Sequence, residues 1–119
     1  MTTSASLMEF GHIRRIQDTR FPYEVAVILP GEFFVSEEPK VVYTVLGSCI
    51  SVCLRDPFVN IGGMNHFMLA APANTEGHDN WADSGRYGSF AMEMLINEIL
   101  NRGGQKKRLE AKVFGGGKI

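Results

Sequence analysis

The order of apolar and polar residues divides the chain into a strand-rich first half and one helical stretch near its end. Residues 1–22 mix polar, basic and apolar types without a period, which predicts an irregular or loosely attached N-terminal arm. From Tyr23 the run Glu24-Val25-Ala26-Val27-Ile28-Leu29 is strand-like and stops at Pro30-Gly31, a strong turn signal. Phe33-Phe34-Val35 is a short apolar run closed by Ser36-Glu37-Glu38-Pro39. Val41 to Leu46 is rich in β-branched and aromatic residues and breaks at Gly47-Ser48. Ile50 to Leu54 alternates with period two, so Ile50, Val52 and Leu54 share one face and Ser51 and Cys53 the other. A turn at Arg55-Asp56-Pro57-Phe58 leads to a strand over Ile61 to Leu69, where Gly62-Gly63 predicts a bulge or a close backbone approach.

Ala70 to Gly85 has no apolar period and carries Pro72, Asn74, Gly77, Asn80 and Asp83, which predicts a long surface loop. Ser84 or Asp83 is placed to cap the helix that follows. Across Tyr87 to Asn101, residues Ala91, Met92, Leu95, Ile96 and Ile99 fall on one helical stripe, closed by Gly103-Gly104. Lys106-Lys107-Arg108 is expected to be a solvated turn, and Leu109 to Phe114 a further strand before Gly115-Gly116-Gly117. Strands on both sides of one long helix give an α/β class, a mixed α+β sandwich.

Composition narrows the classes. A length of 119 residues suits one domain with one core. Net charge is −1, from 12 basic and 13 acidic residues, so nothing points to nucleic acid or to an anionic membrane surface. No apolar run approaches the roughly 18–20 residues that span a bilayer. The first residues do not read as a secretory signal. Two cysteines are too few for a disulfide framework, and a reducing cytoplasmic setting is expected. His12 and His78 have no ligand-type neighbours at metal spacing. The three glycines lack the Gly-Lys-Ser/Thr of a phosphate loop.

The candidate chemistry lies at Cys49. It follows Gly47-Ser48 at the end of an apolar strand, where a sharp turn can present the Ser48 and Cys49 N–H groups as an oxyanion hole. A free cysteine is more often a small buried hydrophobe, and on the residues alone that reading stays open. Hairpin counting weighs against it. If strands 50–54 and 60–68 pair across a four-residue loop, Asp56 to Val59, then Arg55 faces Asn60 and Cys49 falls opposite His66. Opposed Cβ atoms lie about 4.5–5.5 Å apart, close enough for an imidazole to take a thiol proton. A bulge at Gly62-Gly63 would move that register by one. Cys53, about 13 Å along the strand from Cys49, is expected to pack.

Several segments resemble the CheD family of chemoreceptor glutamine deamidases. They are Leu29-Pro30-Gly31-Glu32, Thr44-Val45-Leu46-Gly47-Ser48-Cys49, Cys53-Leu54-Arg55-Asp56, Gly62-Gly63-Met64-Asn65-His66-Phe67-Met68-Leu69, Arg86-Tyr87-Gly88 and Glu110 to Gly116. The resemblance implies a deamidase domain over residues 23–119 with a sandwich fold. It implies Cys49 as nucleophile, His66 as base and Thr44 as third triad member, although some members carry threonine one residue earlier, where this chain has Tyr43. No metal or organic cofactor is implied. The implied substrate is a methyl-accepting chemotaxis receptor, and a CheC-type phosphatase is an implied partner. A glutamyl methylesterase or a non-catalytic adaptor would keep many of the same residues. Family members continue past the glycines, so a C-terminally truncated form of the fold is expected, with sheet surface left exposed.

Overall fold

The period-two alternation of Ile50 to Leu54 belongs to the most extensively paired strand of the protein. The computed structural model describes residues 7–68 and 88–118. Its strands are β1 (Arg14–Ile16), β2 (Val25–Val27), β3 (Phe33–Ser36), β4 (Val41–Tyr43), β5 (Ile50–Asp56), β6 (Ile61–Asn65) and β7 (Glu110–Gly115). Helix α1 (Gly88–Asn101) and a 3-10 turn at Lys106–Arg108 stand between β6 and β7. One sheet has the order β1-β2-β4, with β1 antiparallel and β4 parallel to β2. The other has the order β3-β6-β5-β7 and is antiparallel throughout. This is the expected mixed α+β architecture.

Val52 and Leu54 from β5 meet Ala91, Leu95 and Ile99 from α1 in the core, which also takes in Phe33, Phe34 and Val35 of β3. Leu95 and Ile99 have no exposed surface; burying side chains of that size stabilises by about 1.5–3 kcal/mol each. The smaller sheet contributes Ala26 and Ile28 to the same cluster. Helix α1 ends as its glycines predict: Gly104 N–H reaches the Ile99 carbonyl at 3.0 Å and Gly103 N–H the Leu100 carbonyl at 3.1 Å.

Two expectations need correction, and a third is resolved between its two forms. The N-terminal arm is not loosely attached beyond Leu7. Phe10 and Ile13 are buried in the core, β1 pairs with β2, and the buried Glu98 carboxylate accepts the Met8 N–H at 2.9 Å while also holding Arg102. No apolar period announced this, because the anchors are two isolated residues. Lys106-Lys107-Arg108 is only partly a solvated turn, since Arg108 forms a two-pronged pair with the fully buried Asp56. Gly62-Gly63 is a close approach and not a bulge, because the β5–β6 register runs unbroken from Cys53↔Met64 to Asp56↔Ile61. The loop expected over Ala70 to Gly85, with its capping residues, lies outside the described residues.

Gly63 sits where β3, β6 and α1 converge. A Cβ there would lie 2.6 Å from the Phe34 carbonyl oxygen and 2.9 Å from Leu95 Cδ1. Gly63→Ala is therefore expected to cost about 1–3 kcal/mol through overpacking, whereas Gly11→Ala, with nothing within 4 Å of its Cβ, should be near neutral. Denaturant midpoints of the two variants check this.

Candidate active site

Strand β6 ends at Asn65, and the backbone of His66 is then held from the β3 side. Its N–H donates to the Glu32 carbonyl at 3.2 Å, and its carbonyl accepts the Gly31 N–H at 2.8 Å. Those partners belong to the Leu29-Pro30-Gly31-Glu32 turn, closed by Glu32 N–H to the Leu29 carbonyl at 2.9 Å, with Gly31 at φ +87°. Proline followed by a glycine of positive φ is the chemistry of a type II turn. On the β5 side the backbone ladder opens. Val52 N–H donates to the Asn65 side-chain oxygen at 2.9 Å, and the Ser51 hydroxyl to the Asn65 carbonyl at 2.6 Å. The ladder closes again at Ile50 and Phe67, which exchange two bonds of 2.8 Å. His66 thus occupies a gap kept open by side chains.

The His66 ring is buried, and its Nδ1 lies 2.7 Å from Thr44 Oγ1. That hydroxyl also lies 2.8 Å from the Ile28 carbonyl oxygen, which can only accept. The single hydroxyl proton therefore goes to Ile28, so Thr44 must accept from Nδ1–H. The neutral ring then carries its lone pair on Nε2, the form a general base requires. Burial pushes the His66 pKa below its ordinary value of 6.5, which keeps the ring neutral at pH 7. Of the two threonine positions considered, it is Thr44 that meets the ring; Tyr43 is exposed, and its carbonyl accepts the Ile28 N–H at 3.0 Å.

Cys49 is half-buried and unbridged, immediately before β5. The hairpin register differs from the expected one by two residues. The turn is Pro57 to Asn60, with Asn60 at φ +57°, so Asp56 faces Ile61 and Arg55 faces Gly62. Continued through Ile50↔Phe67, that register puts His66 opposite Ser51 and Cys49 opposite Met68. Cys49 and His66 are diagonal neighbours and not directly opposed. An even shift preserves the shared face, and diagonal positions lie about 7–8 Å apart, within reach of long side chains. Among the described residues, neither the Ser48 nor the Cys49 N–H donates a hydrogen bond. Cys53 lines a groove of about 690 Å³ with Met64, Val42 and Arg55, and burial raises its thiol pKa. His12 is exposed, and His78 lies outside the described residues. No cluster of three His, Cys, Asp or Glu side chains among the described residues could hold a metal ion.

Comparison with known proteins identifies the family. A family model described as CheD chemotactic sensory transduction matches residues 68–119. A probable chemoreceptor glutamine deamidase CheD from Hydrogenovibrio crunogenus is 54% identical over 92 residues, covering 77% of this chain and 48% of that protein. The Rhodopseudomonas palustris protein of the same description is 51% identical over 108 residues, covering 90% of this chain and 50% of its own length. The Halorhodospira halophila one is 45% identical over 122 residues, covering all of this chain and 56% of its own length. The chain belongs to the CheD family. It spans about half the length of the curated relatives it matches. No helix among the described residues of this CheD-family chain is long and apolar enough to cross a membrane.

Sequence reasoning passed over four supports of the candidate site: the Ile28 carbonyl, the main chain of Gly31 and Glu32, the Asn65 amide and the glycines beyond β7. Asn65 and the Leu-Pro-Gly-Glu turn stood within the resembling segments, but a backbone acceptor leaves no trace in residue type. The turn signal at Pro30-Gly31 was the one available hint.

Two acid-induced losses of stability are expected. His66 has a lowered folded pKa, so its unfolded form takes up a proton first as the pH falls below about 6.5. Stability from this group is complete above that pH and declines as pH falls toward the folded pKa. Asp56 is held well below the usual carboxylate range, first by Arg108 and then by the Gln105 and Phe58 N–H groups. Its contribution is complete above pH 3.8 and is lost on further acidification. Unfolding free energy against pH should show both declines, with His66→Gln removing the upper one and Asp56→Asn the lower.

Proposed function

We propose that this chain carries the nucleophilic centre of a chemoreceptor glutamine deamidase, with Cys49 as nucleophile, His66 as base and Thr44 as the residue that orients it. The observation that carries the reading is the relay Ile28 carbonyl–Thr44 hydroxyl–His66 Nδ1, which puts the lone pair of the ring on Nε2, while the β5–β6 register sets His66 and Cys49 on one face. The relatives' descriptions supply the substrate class, a glutamine side-chain amide on a chemoreceptor.

The reaction transfers one acyl group twice. His66 Nε2 takes the Cys49 thiol proton, and the sulfur attacks the glutamine carboxamide carbon. The carbonyl electron pair moves to oxygen, where the Ser48 and Cys49 N–H groups can receive it. As that pair returns, the C–N bond breaks and the imidazolium gives its proton to the nitrogen, releasing ammonia and leaving a thioester. His66 then takes a proton from water, whose oxygen attacks the thioester. Collapse expels the thiolate, which takes the proton back from the imidazolium, and yields glutamate. Nδ1–H persists in both states of the ring, so Thr44 stays paired throughout. Its neutral oxygen orients the imidazole without the charge an aspartate would supply. Neither a metal nor an organic cofactor takes part in these steps. Two free thiols suit a reducing cytoplasm. A CheC-type phosphatase, the partner implied by the family resemblance, would compete with the receptor for the same opening.

Cys49→Ala is expected to abolish ammonia release from a receptor fragment while the fold survives; Cys53→Ala should retain activity. Thr44→Val should lower kcat by roughly 10²-fold, the low end of what a misplaced general base costs, with Thr44→Ser restoring most of it. Methanol release from a methylated receptor without ammonia release from the amide form would instead identify an esterase.

A further inference from the structure

Strand β7 runs into Gly115-Gly116-Gly117 beside the turn that carries Cys49. Gly116 N–H donates to the Cys49 carbonyl at 2.9 Å, and Gly117 N–H donates to the Gly47 carbonyl at 3.0 Å. Gly115 and Gly116 have φ of +108° and +77°, and a Cβ on Gly115 would strike the Cys49 carbonyl oxygen. A Cβ on Gly117 would lie 3.1 Å from the Gly47 oxygen. Only glycine brings the backbone this close. The two bonds grip the turn at alternate carbonyls, one on each side of Ser48.

A trans peptide points its C=O and its N–H in opposite directions. Fixing the Cys49 carbonyl toward β7 should therefore turn the Ile50 N–H toward β6, and that N–H does meet the Phe67 carbonyl of the β6 side at 2.8 Å. The same rule applies one bond earlier. With the Gly47 carbonyl held by Gly117, the Ser48 N–H points away from β7, to the side of β5 on which His66 lies. It has no acceptor there among the described residues.

We infer that Gly117 is a positioning residue whose N–H locks the Gly47–Ser48 peptide so that the Ser48 N–H serves as the fixed oxyanion donor. This rests on the deamidase reading above and assigns a role to the glycine run that no phosphate-loop comparison explains. The alternative is that the run merely lets β7 pair with β5, in which case its loss would lower stability without a selective kinetic effect.

The test uses the full-length protein with Gly117→Pro, which removes the donor, and Gly117→Ala, which keeps it but presses a methyl on the Gly47 oxygen. Two rates are measured on variants shown by thermal melting to be folded. One is ammonia release from receptor as kcat and KM. The other is alkylation of Cys49 by iodoacetamide, a displacement at a saturated carbon that develops no oxyanion. Gly117→Pro should lower kcat by roughly 10²-fold, as loss of one oxyanion donor does, with a smaller fall in Gly117→Ala and little change in KM or alkylation. An unchanged kcat would overturn the inference. A parallel fall in alkylation would also overturn it, because the glycine would then be holding the thiol. If Gly117→Pro does not fold, Gly117→Ala decides by the same criteria. Ammonia release that survives Cys49→Ala would defeat the reading of Cys49 as nucleophile, and this assignment with it.

Discussion

A threonine hydroxyl has one proton to give, and here the Ile28 carbonyl takes it. That constraint determines the rest of the site. Thr44 is left as an acceptor toward His66, the ring is left with its hydrogen on Nδ1, and Nε2 is left as the basic nitrogen. The bond also joins the two sheets. Ile28 and Thr44 follow β2 and β4 of the smaller sheet, while His66 follows β6 of the larger one. Loss of register in either sheet would separate the hydroxyl from the ring. The geometry of the candidate site and the docking of the sheets are thus the same requirement.

Around that bond the protein replaces regular ladder pairs with specific ones. The Asn65 amide takes the place of a backbone acceptor for Val52 and reaches α1 through the Ala91 carbonyl at 3.4 Å. The Leu29–Glu32 turn supplies both backbone partners of His66. Beyond β7, glycines grip the Cys49 turn by its carbonyls and so leave its N–H groups turned elsewhere. Each device holds main chain from one side and frees a functional group on the other. Buried polar groups of this kind must all be matched, and no buried side-chain nitrogen or oxygen among the described residues lacks a partner.

The sequence made the elements legible where periodicity was strong. From the helical stripe Ala91, Leu95 and Ile99, and from the strand alternation Val52 and Leu54, became core, while Met92, Ile96 and Ile50 pack against it half-buried. The arm failed because Phe10 and Ile13 are anchors without a period. The register failed because the position of the four-residue turn cannot be read from Asp56-Pro57-Phe58-Val59-Asn60 alone; it falls one residue later than expected, at Pro57 to Asn60. Left-handed Asn60 takes the last turn position, while Asp56 joins the ladder opposite Ile61 and spends its carboxylate on Arg108. Cys49 and His66 nevertheless kept a common face, since a shift by two preserves parity. The residues that set the tautomer, the turn and the glycine grip act through backbone atoms, which one-letter identity hides.

The account stands on the protonation of one ring, and nitrogen-15 NMR of His66 at neutral pH reads it directly. Couplings from the ring carbon protons should show a protonated Nδ1 and a bare Nε2 in the folded protein. A ring protonated at Nε2 would contradict the account, because Thr44 would then be donating its only proton to Nδ1, and the nitrogen meant to receive the thiol proton would already be occupied.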